Sequence, residues 1–189
     1  LIVQLGAFMR SSMKLASSSL VPLKQEEQHL LAYLEIVRVR FRGKLDIRYR
    51  REEDLGDVPI PPFTLQPLVE NSIQHGLRDI TGGGLVDIEL TRDRKEKRRL
   101  QVVITDNGKG IPPHILPMLG KTPIPSSGGE RNGGMGIYNV NQRLIRLFGE
   151  KSQLRFANRP SGGSIVSFQI PCPVPEETKR GEEVTARAH

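Results

Sequence analysis

The sequence predicts an α/β fold: a two-layer sandwich with a mixed, largely antiparallel sheet, helices on one face, and two further helices ahead of it. Three observations predict it. Apolar residues recur at helical spacing from Leu1 to Phe41, apolar segments of strand length then follow in pairs, and the core residues are aliphatic. Hydrophobic residues make up 37% of the 189, aromatics only 5%, and Trp is absent, so Leu, Ile and Val must fill the interior. This length suffices for one domain with a core and an appendage. The single cysteine, Cys172, excludes an internal disulfide and reads as a small hydrophobe near the end of the last strand.

The elements follow in order. Residues 1–16 have the helical pattern, broken by Ser17-Ser18-Ser19 and Pro22. From Lys24 to Phe41 a second helix carries Leu30, Tyr33, Leu34, Val37 and Phe41 on one face. Leu45, Ile47 and Tyr49 alternate as a strand, which Pro59, Pro61 and Pro62 end. Phe63 to Leu77 is helical, with Leu65, Leu68, Val69 and Ile73 inward and Gly76 as a stop. After the turn Gly82-Gly83-Gly84, strands at 85–91 and 100–105 form an antiparallel hairpin around a charged tip. A long Gly- and Pro-rich stretch, whose composition is unsuited to a packed element, precedes a helix from Gly134 to Phe148, and two strands follow around 154–157 and 164–170. The expected organisation is a helical remnant of a dimerisation and phosphoacceptor region over 1–42, a globular domain over 43–172 and a disordered polar tail over 173–189.

The net charge of +7 raises the possibility of a nucleic-acid surface. Its distribution argues against one: the basic residues gather at 38–51 and in the hairpin tip at 92–99, without interleaved aromatics on which bases would stack. A membrane surface is the more natural neighbour if a longer parent is anchored there. No run approaches the roughly 20 apolar residues that span a bilayer, and no signal segment opens the chain. The chain is therefore expected to be water-soluble. It starts with Leu1 in mid-pattern, as expected of a piece of a longer protein.

Three motifs carry candidate chemistry. In Gln66 to Gly76, Glu70, Asn71, Gln74 and His75 fall within about one helical turn, where a carboxylate beside a neutral amide suits a proton acceptor and a hydrated Mg²⁺; a polar helix face is the alternative. In Thr105-Asp106-Asn107-Gly108-Lys109-Gly110-Ile111, the carboxylate ends a strand and can accept from an exocyclic amine, favouring adenine over guanine, while two glycines permit close approach of a planar ligand or simply a turn. The third, Gly128 to Asn139, is a glycine-rich loop feeding a helix, where free N–H groups and the helix dipole attract anions. No Lys-Ser/Thr follows its glycines as in a Walker A loop, and no strand precedes it as in a Rossmann fingerprint.

In this order the three motifs resemble the N, G1 and G2 boxes of the gyrase-type, chaperone-type and histidine-kinase ATPases. Within that superfamily the wording resembles the LytS-type sensor histidine kinases. The likeness covers about Leu5 to Ile170 and includes Val21-Pro22-Leu23, Glu27, Tyr33 to Ile36, Arg40-Phe41, Gln66 to Gly76, Asp106 to Gly110, Gly134 to Val140, Arg143-Leu144 and Gly162-Gly163-Ser164. It implies that Asn71 holds Mg²⁺ against the phosphates of ATP, that Glu70 is the proton acceptor or polarising carboxylate, and that Asp106 binds the adenine amino group. It also implies that Gly108 and Gly110 admit the base and sugar, that Gly134 and Gly136, with Asn139 beside them, wrap the phosphates as part of a lid beginning near Pro113, and that Ser164 sits near the base. The implied activity is transfer of the γ-phosphate of ATP to a histidine and thence to a response regulator. The parent is implied to be a membrane-anchored homodimer with this domain in the cytoplasm.

The sequence departs from that pattern in places. Gln74 stands where many relatives have Lys, removing a cation that would face the phosphates, with His75 as a partial substitute or simply a histidine at a helix end. Ser164 replaces the more usual Thr and keeps the hydroxyl. The phosphoacceptor segment, of His-Phe-x-x-Asn type, is absent; His29, His114 and His189 do not match it. A non-catalytic nucleotide-sensing module and an anti-sigma-type serine kinase therefore stand as alternatives.

Overall fold

The computed structural model describes residues 2–16, 18–41, 43–77, 82–93, 96, 98–124 and 133–172. The expected disordered tail at 173–189 and the latter part of the expected lid, 125–132, lie outside them. Helix α1 (Ile2–Leu15) is followed by β1 (Val21–Pro22), α2 (Leu23–Phe41), β2 (Leu45–Arg51) and β3 (Pro59–Ile60). Next come α3 (Leu65–Asn71), β4 (Gly84–Arg92), β5 (Arg99–Asp106), α4 (Gly133–Phe148), β6 (Arg155–Asn158) and β7 (Ser164–Pro171).

Five strands form one sheet in the order β2-β4-β5-β7-β6, in which β2 and β4 are parallel and the other pairs antiparallel. The mixed, largely antiparallel sheet is thus as expected. Alternation sends Val86, Ile88 and Leu90, Leu100, Val102 and Ile104, and Val166, Phe168 and Ile170 to one face, where they are buried. Leu30, Leu34, Leu65, Leu68, Val140 and Leu144 from α2, α3 and α4 belong to the same core. The opposite face is polar: Arg50 of β2 pairs with Asp87 (2.8 Å) and Glu89 of β4. Charges of this kind also blunt β2 as an edge strand.

Local structure departs from expectation in three places. Val21 and Pro22 pair antiparallel with Ile60 and Pro59, a two-residue ladder short enough for its prolines to do without further strand bonds. The helix expected to run from Phe63 to Leu77 is α-helical only to Asn71 and then widens into a π-helical turn over Ser72–Gly76. That turn brings the Gly76 carbonyl to accept from the Lys109 N–H at 3.1 Å. The start of the Gly- and Pro-rich stretch, expected to be unpacked, is wound into consecutive turns. Ile115 and Leu116 donate to Pro112 O, and Lys121 donates to Met118 O. Asn141 of α4 explains this packing, since its amide donates to Gly120 O at 2.7 Å and its carbonyl accepts from Leu154 N at 2.7 Å.

The lead-in helix α2 is bound to α3 by a buried carboxylate. A helix start leaves N–H groups without intrahelical acceptors, and Thr64, in the N-cap position, supplies no side-chain cap. Its hydroxyl donates instead to Pro61 O at 2.7 Å. Glu26 of α2, fully buried, takes over: Oε2 accepts from Phe63 N (2.9 Å), and Oε1 from Thr64 N (2.6 Å) and Leu65 N (2.8 Å). Arg143 of α4 donates to the Pro62 and Phe63 carbonyls at 2.7 and 2.9 Å. Pulled from both sides, Phe63 has φ +55°, the only positive φ of a non-glycine among the described residues.

His29, one turn along α2, extends the junction to α1. Its ring stacks on Phe8 at 4.8 Å and meets Phe63 edge-on at 5.2 Å. Its nitrogens lie 2.8 Å from Ser11 Oγ and 2.5 Å from Gln66 Oε1. The amide oxygen can only accept, which puts the ring proton on Nε2. Burial holds this imidazole below its ordinary range, against the opposing pull of the Gln66 bond.

Burial raises the Glu26 carboxyl above its ordinary 4.5, against the opposing pull of its three backbone N–H donors. A group whose folded pKa is raised contributes stability that is complete below its unfolded pKa and lost as pH rises through the folded value. Glu26→Gln turns an NH₂ toward one of the three N–H donors and is expected to cost about 1–3 kcal/mol while removing this pH dependence. Glu26→Ala should cost more. Urea unfolding of both variants at several pH values above 4.5 checks the magnitude and the slope.

Candidate functional site

The site grows from the end of β5. Asp106 is 1% exposed, and its burial follows from its place on the inward register of the strand after Val102 and Ile104. Its Oδ1 accepts from Gly108 N (2.9 Å) and Ser164 N (3.2 Å), and its Oδ2 accepts from the Ser164 hydroxyl (2.6 Å). An ionised carboxylate has about four acceptor directions. Three are taken, and one remains for an outside donor such as an amine.

Three glycines let the backbone close around this carboxylate. A Cβ on Gly108 would stand 2.1 Å from Gly76 O, one on Gly163 would stand 1.9 Å from Asp106 O, and one on Gly76 would stand 2.9 Å from Asp106 Oδ1. Gly163 also has φ +86°, a conformation L-residues rarely adopt. Gly110, at φ +76°, turns the chain beneath Asn158, whose amide mimics a strand partner: Oδ1 accepts from Ile111 N (2.7 Å) and Nδ2 donates to Ile111 O (2.8 Å). Arg159 donates to the Asp106 carbonyl at 3.0 Å. The expected members Asp106, Gly108, Gly110 and Ser164 thus come together from two distant stretches of chain.

Glu70 and Asn71 end α3, immediately before the π-helical turn that delivers Gly76 to Asp106. Both side chains are partly buried. Gln74, one turn on, donates to Glu70 Oε1 at 2.6 Å. Burial raises the Glu70 carboxyl above its ordinary range, and the Gln74 bond offsets part of the rise. Tyr33 of α2 faces the same region; burial first, and the Glu70 charge second, push its phenol up beyond its ordinary range. The backbone of His75 lies within the π-helical turn, and its side chain is outside the described set.

Gly134 and Gly136 lie in the first turn of α4, and a Cβ on Gly136 would stand 3.7 Å from Pro67 Cβ, which ties this helix start to the base of α3. Asn139 is exposed on α4, one turn beyond Gly136. It is Asn141, two positions on, that is buried and bonded. Sequence reasoning missed roles for Asn141, Asn158 and Arg159 and took Gly76 for a simple helix stop. Gly163 carried a visible signal, a glycine doublet directly before a strand. No group of three or more His, Cys, Asp or Glu positioned to hold a metal occurs among the described residues, and no described helix is long and apolar enough to cross a membrane.

The family described as histidine kinase-, DNA gyrase B-, and HSP90-like ATPase matches residues 62–174. Among curated proteins, the sensor protein LytS of Oceanobacillus iheyensis is 47% identical over 90% of this chain, and the sensor protein LytS of Bacillus subtilis is 39% identical over 97% of it. The matched region is 28% and 29% of those two proteins, so the chain spans less than a third of their length. Among solved structures, a mycobacterial sensor histidine kinase, MprB, superposes with a TM-score of 0.59 at 19% identity, covering 82% of this chain and 98% of that one. The catalytic domain of the histidine kinase ThkA gives 0.60 at 16%, covering 82% and 97%. At such identities the likeness is one of fold.

Gly108→Ala and Gly163→Ala each drive a methyl into backbone that cannot move aside. Each is expected to destabilise by at least about 2 kcal/mol. Gly82→Ala, with nothing within 4 Å, should lie within about 0.5 kcal/mol of the parent chain. Chemical denaturation of the three variants checks the contrast.

Proposed function

The chain belongs to the family of histidine kinase-, DNA gyrase B-, and HSP90-like ATPases, and we propose that it is the ATP-binding catalytic domain of a LytS-type sensor histidine kinase. The observation that carries the reading is the buried Asp106 carboxylate with one acceptor direction left open at a glycine-lined turn. Adenine presents an exocyclic amine to such an acceptor, whereas guanine presents a carbonyl oxygen there, and two acceptors repel.

Each remaining part has a task in phosphoryl transfer, where positioning and charge stabilisation supply most of the catalysis. Ser164 fixes the carboxylate of Asp106, and Gly108 and Gly110 let the base and sugar lie against backbone. The start of α4, with Gly134 and Gly136, offers N–H groups and a positive dipole end to the phosphates, with Asn139 nearby on the same helix. Asn141 of the same helix fastens the turns at 113–122, where the stretch expected as a lid begins. Glu70, its carboxyl raised by burial, is suited to accept the ring proton that an incoming imidazole loses as its other nitrogen bonds to the γ-phosphorus and the bond from that phosphorus to ADP breaks. The Asn71 amide would offer Mg²⁺ one neutral oxygen, with phosphates and water completing its shell. When bound, the ion would neutralise phosphate charge. The acceptor histidine, a response regulator that takes the phosphate onward, a dimeric parent and a membrane anchor belong to the same proposal, as does the assignment of 1–42 to the dimerisation region.

The first test is calorimetry with nucleotides in the presence of Mg²⁺. ATP and ADP are expected to bind and GTP to bind at least tenfold more weakly, and Asp106→Asn should weaken ATP by about 1–3 kcal/mol. Equal affinity for ATP and GTP would remove Asp106 from the role of base selector.

A second expectation follows from His29, which is fully buried with both ring nitrogens engaged. Incubation of this chain with γ-labelled ATP should leave no acid-labile, base-stable phosphate on it. Such label on His29 would contradict the proposal that the acceptor lies elsewhere.

A further inference from the structure

Where β5 and β7 meet at Asp106, the hydrogen bonds do not follow a regular ladder. A planar trans peptide points its C=O and its N–H in opposite directions. The Asn107 N–H donates to Leu85 O at 3.2 Å, on the β4 side, so the Asp106 carbonyl points the other way, toward β7. The Gly163 carbonyl accepts from Arg159 N at 3.0 Å, on the β6 side, so the Ser164 N–H points toward β5. In a regular antiparallel pair these two groups would bond to each other. The register between β5 and β7 stops one pair earlier, at Thr105 and Ile165. Ser164 N donates instead to the Asp106 carboxylate, with Oδ1 at 3.2 Å, and Arg159 Nη1 takes its place on the Asp106 carbonyl at 3.0 Å.

Each half of this exchange needs the other. Asp106 is 1% exposed, so a carbonyl released by Ser164 has little access to water and requires another donor. Arg159 supplies one from a fixed backbone: its N–H bonds to Gly163 O, and its carbonyl accepts from Gly162 N at 3.1 Å, which closes the turn. Asn158, immediately before it, grips both main-chain groups of Ile111. Adjacent residues of one turn thus hold the two ends of the segment 106–111. We propose that Arg159 is a positioning residue for base recognition: by occupying the Asp106 carbonyl, it frees the Ser164 N–H to orient the Asp106 carboxylate toward the exocyclic amine of adenine. The inference rests on the proposed role of Asp106. A guanidinium makes a charge-assisted bond to the carbonyl, stronger than that of the neutral amide it displaces. Arg159 acts through Asp106, so its effect falls on one hydrogen bond of the ligand and leaves the sugar and phosphates alone.

The test is calorimetry in the presence of Mg²⁺ with ATP and with purine ribonucleoside triphosphate, which differs from ATP only in lacking the exocyclic amine. It compares this chain with Arg159→Met, which keeps most of the stem and removes the donors, and with Arg159→Lys, which keeps a cationic donor. The parent is expected to prefer ATP by about tenfold or more, the worth of one hydrogen bond to a charged group. In Arg159→Met, ATP should weaken by about fivefold and the analogue by less than about twofold, and Arg159→Lys should recover most of the preference. An NMR correlation through the hydrogen bond reads the exchange itself. Ser164 N should couple to the Asp106 side-chain carboxyl carbon in the parent and to the Asp106 main-chain carbonyl carbon in Arg159→Met. Equal losses for the two nucleotides in Arg159→Met overturn the proposal, since they would make Arg159 a sugar or phosphate contact or a general support of the fold. An unchanged preference in both variants, or Ser164 N still coupled to the carboxyl carbon in Arg159→Met, overturns it as well. A parent chain that does not distinguish ATP from the analogue, with the Ser164 coupling switching as expected, would instead remove Asp106 from the proposed function and leave the hold of Arg159 on its carboxylate standing. The two failures are thereby told apart.

Discussion

The α3 start has three N–H groups, two of them on buried residues, and one acceptor for all of them, the buried Glu26 carboxyl. The rest of the arrangement depends on that acceptor being present. An unmet N–H in such a place costs about 1–3 kcal/mol, so α3 can sit where it does only while α2 lies against it. Arg143 of α4 satisfies the carbonyls of the same turn, and its charge also draws the Glu26 carboxyl toward ionisation. Three helices are thereby bound at one point, with His29 adding α1.

That junction fixes one end of α3, and the glycine knot fixes the other. Between them stand Glu70 and Asn71. Gly76 is held between Asp106 and Gly108 by contacts that a single methyl would abolish, and Gly163 closes the knot from the β7 side. The π-helical turn is what reconciles the two ends, since an α-helical path from Leu65 would carry residue 76 to a different place. A strained Phe63 and a widened turn are local costs that the surrounding packing enforces, as is usual where a functional group must be aimed.

The same geometry links the helical lead-in to the nucleotide region. Leu23, Leu30, Leu34 and Val37 of α2 are buried in the core shared with the sheet, and Tyr33 looks toward Glu70. A displacement of α2 would act on Glu26 first and through it on the helix that carries Glu70 and Asn71. By contrast, the outer face of the sheet, with Arg50, Asp87 and Glu89 paired across β2 and β4, is an exposed ion-pair surface that contributes little to stability.

Much of this was legible in the sequence because it is written in local periodicity and in short motifs. Spacing gave α1, α2, α4 and the β4–β5 hairpin within a few residues, and the motif order pointed to Asp106, Gly108, Gly110 and Ser164, which do converge. What periodicity cannot carry is an interaction between residues far apart in the chain. Glu26 reads as one more acid on a helix, Asn141 as one more polar residue beside Asn139, and Gly76 as a stop, because their partners lie 13 to 39 positions away. The widening of α3 and the winding of 113–122 have the same origin, each being settled by a distant group that competes with local preference. The sequence by itself determined the class of fold and the identities of the chemical groups, since these follow from side-chain type and period. Only the tertiary structure decided which acceptor serves which buried donor, because satisfaction of a buried polar group is a property of the closed interior and not of any one segment.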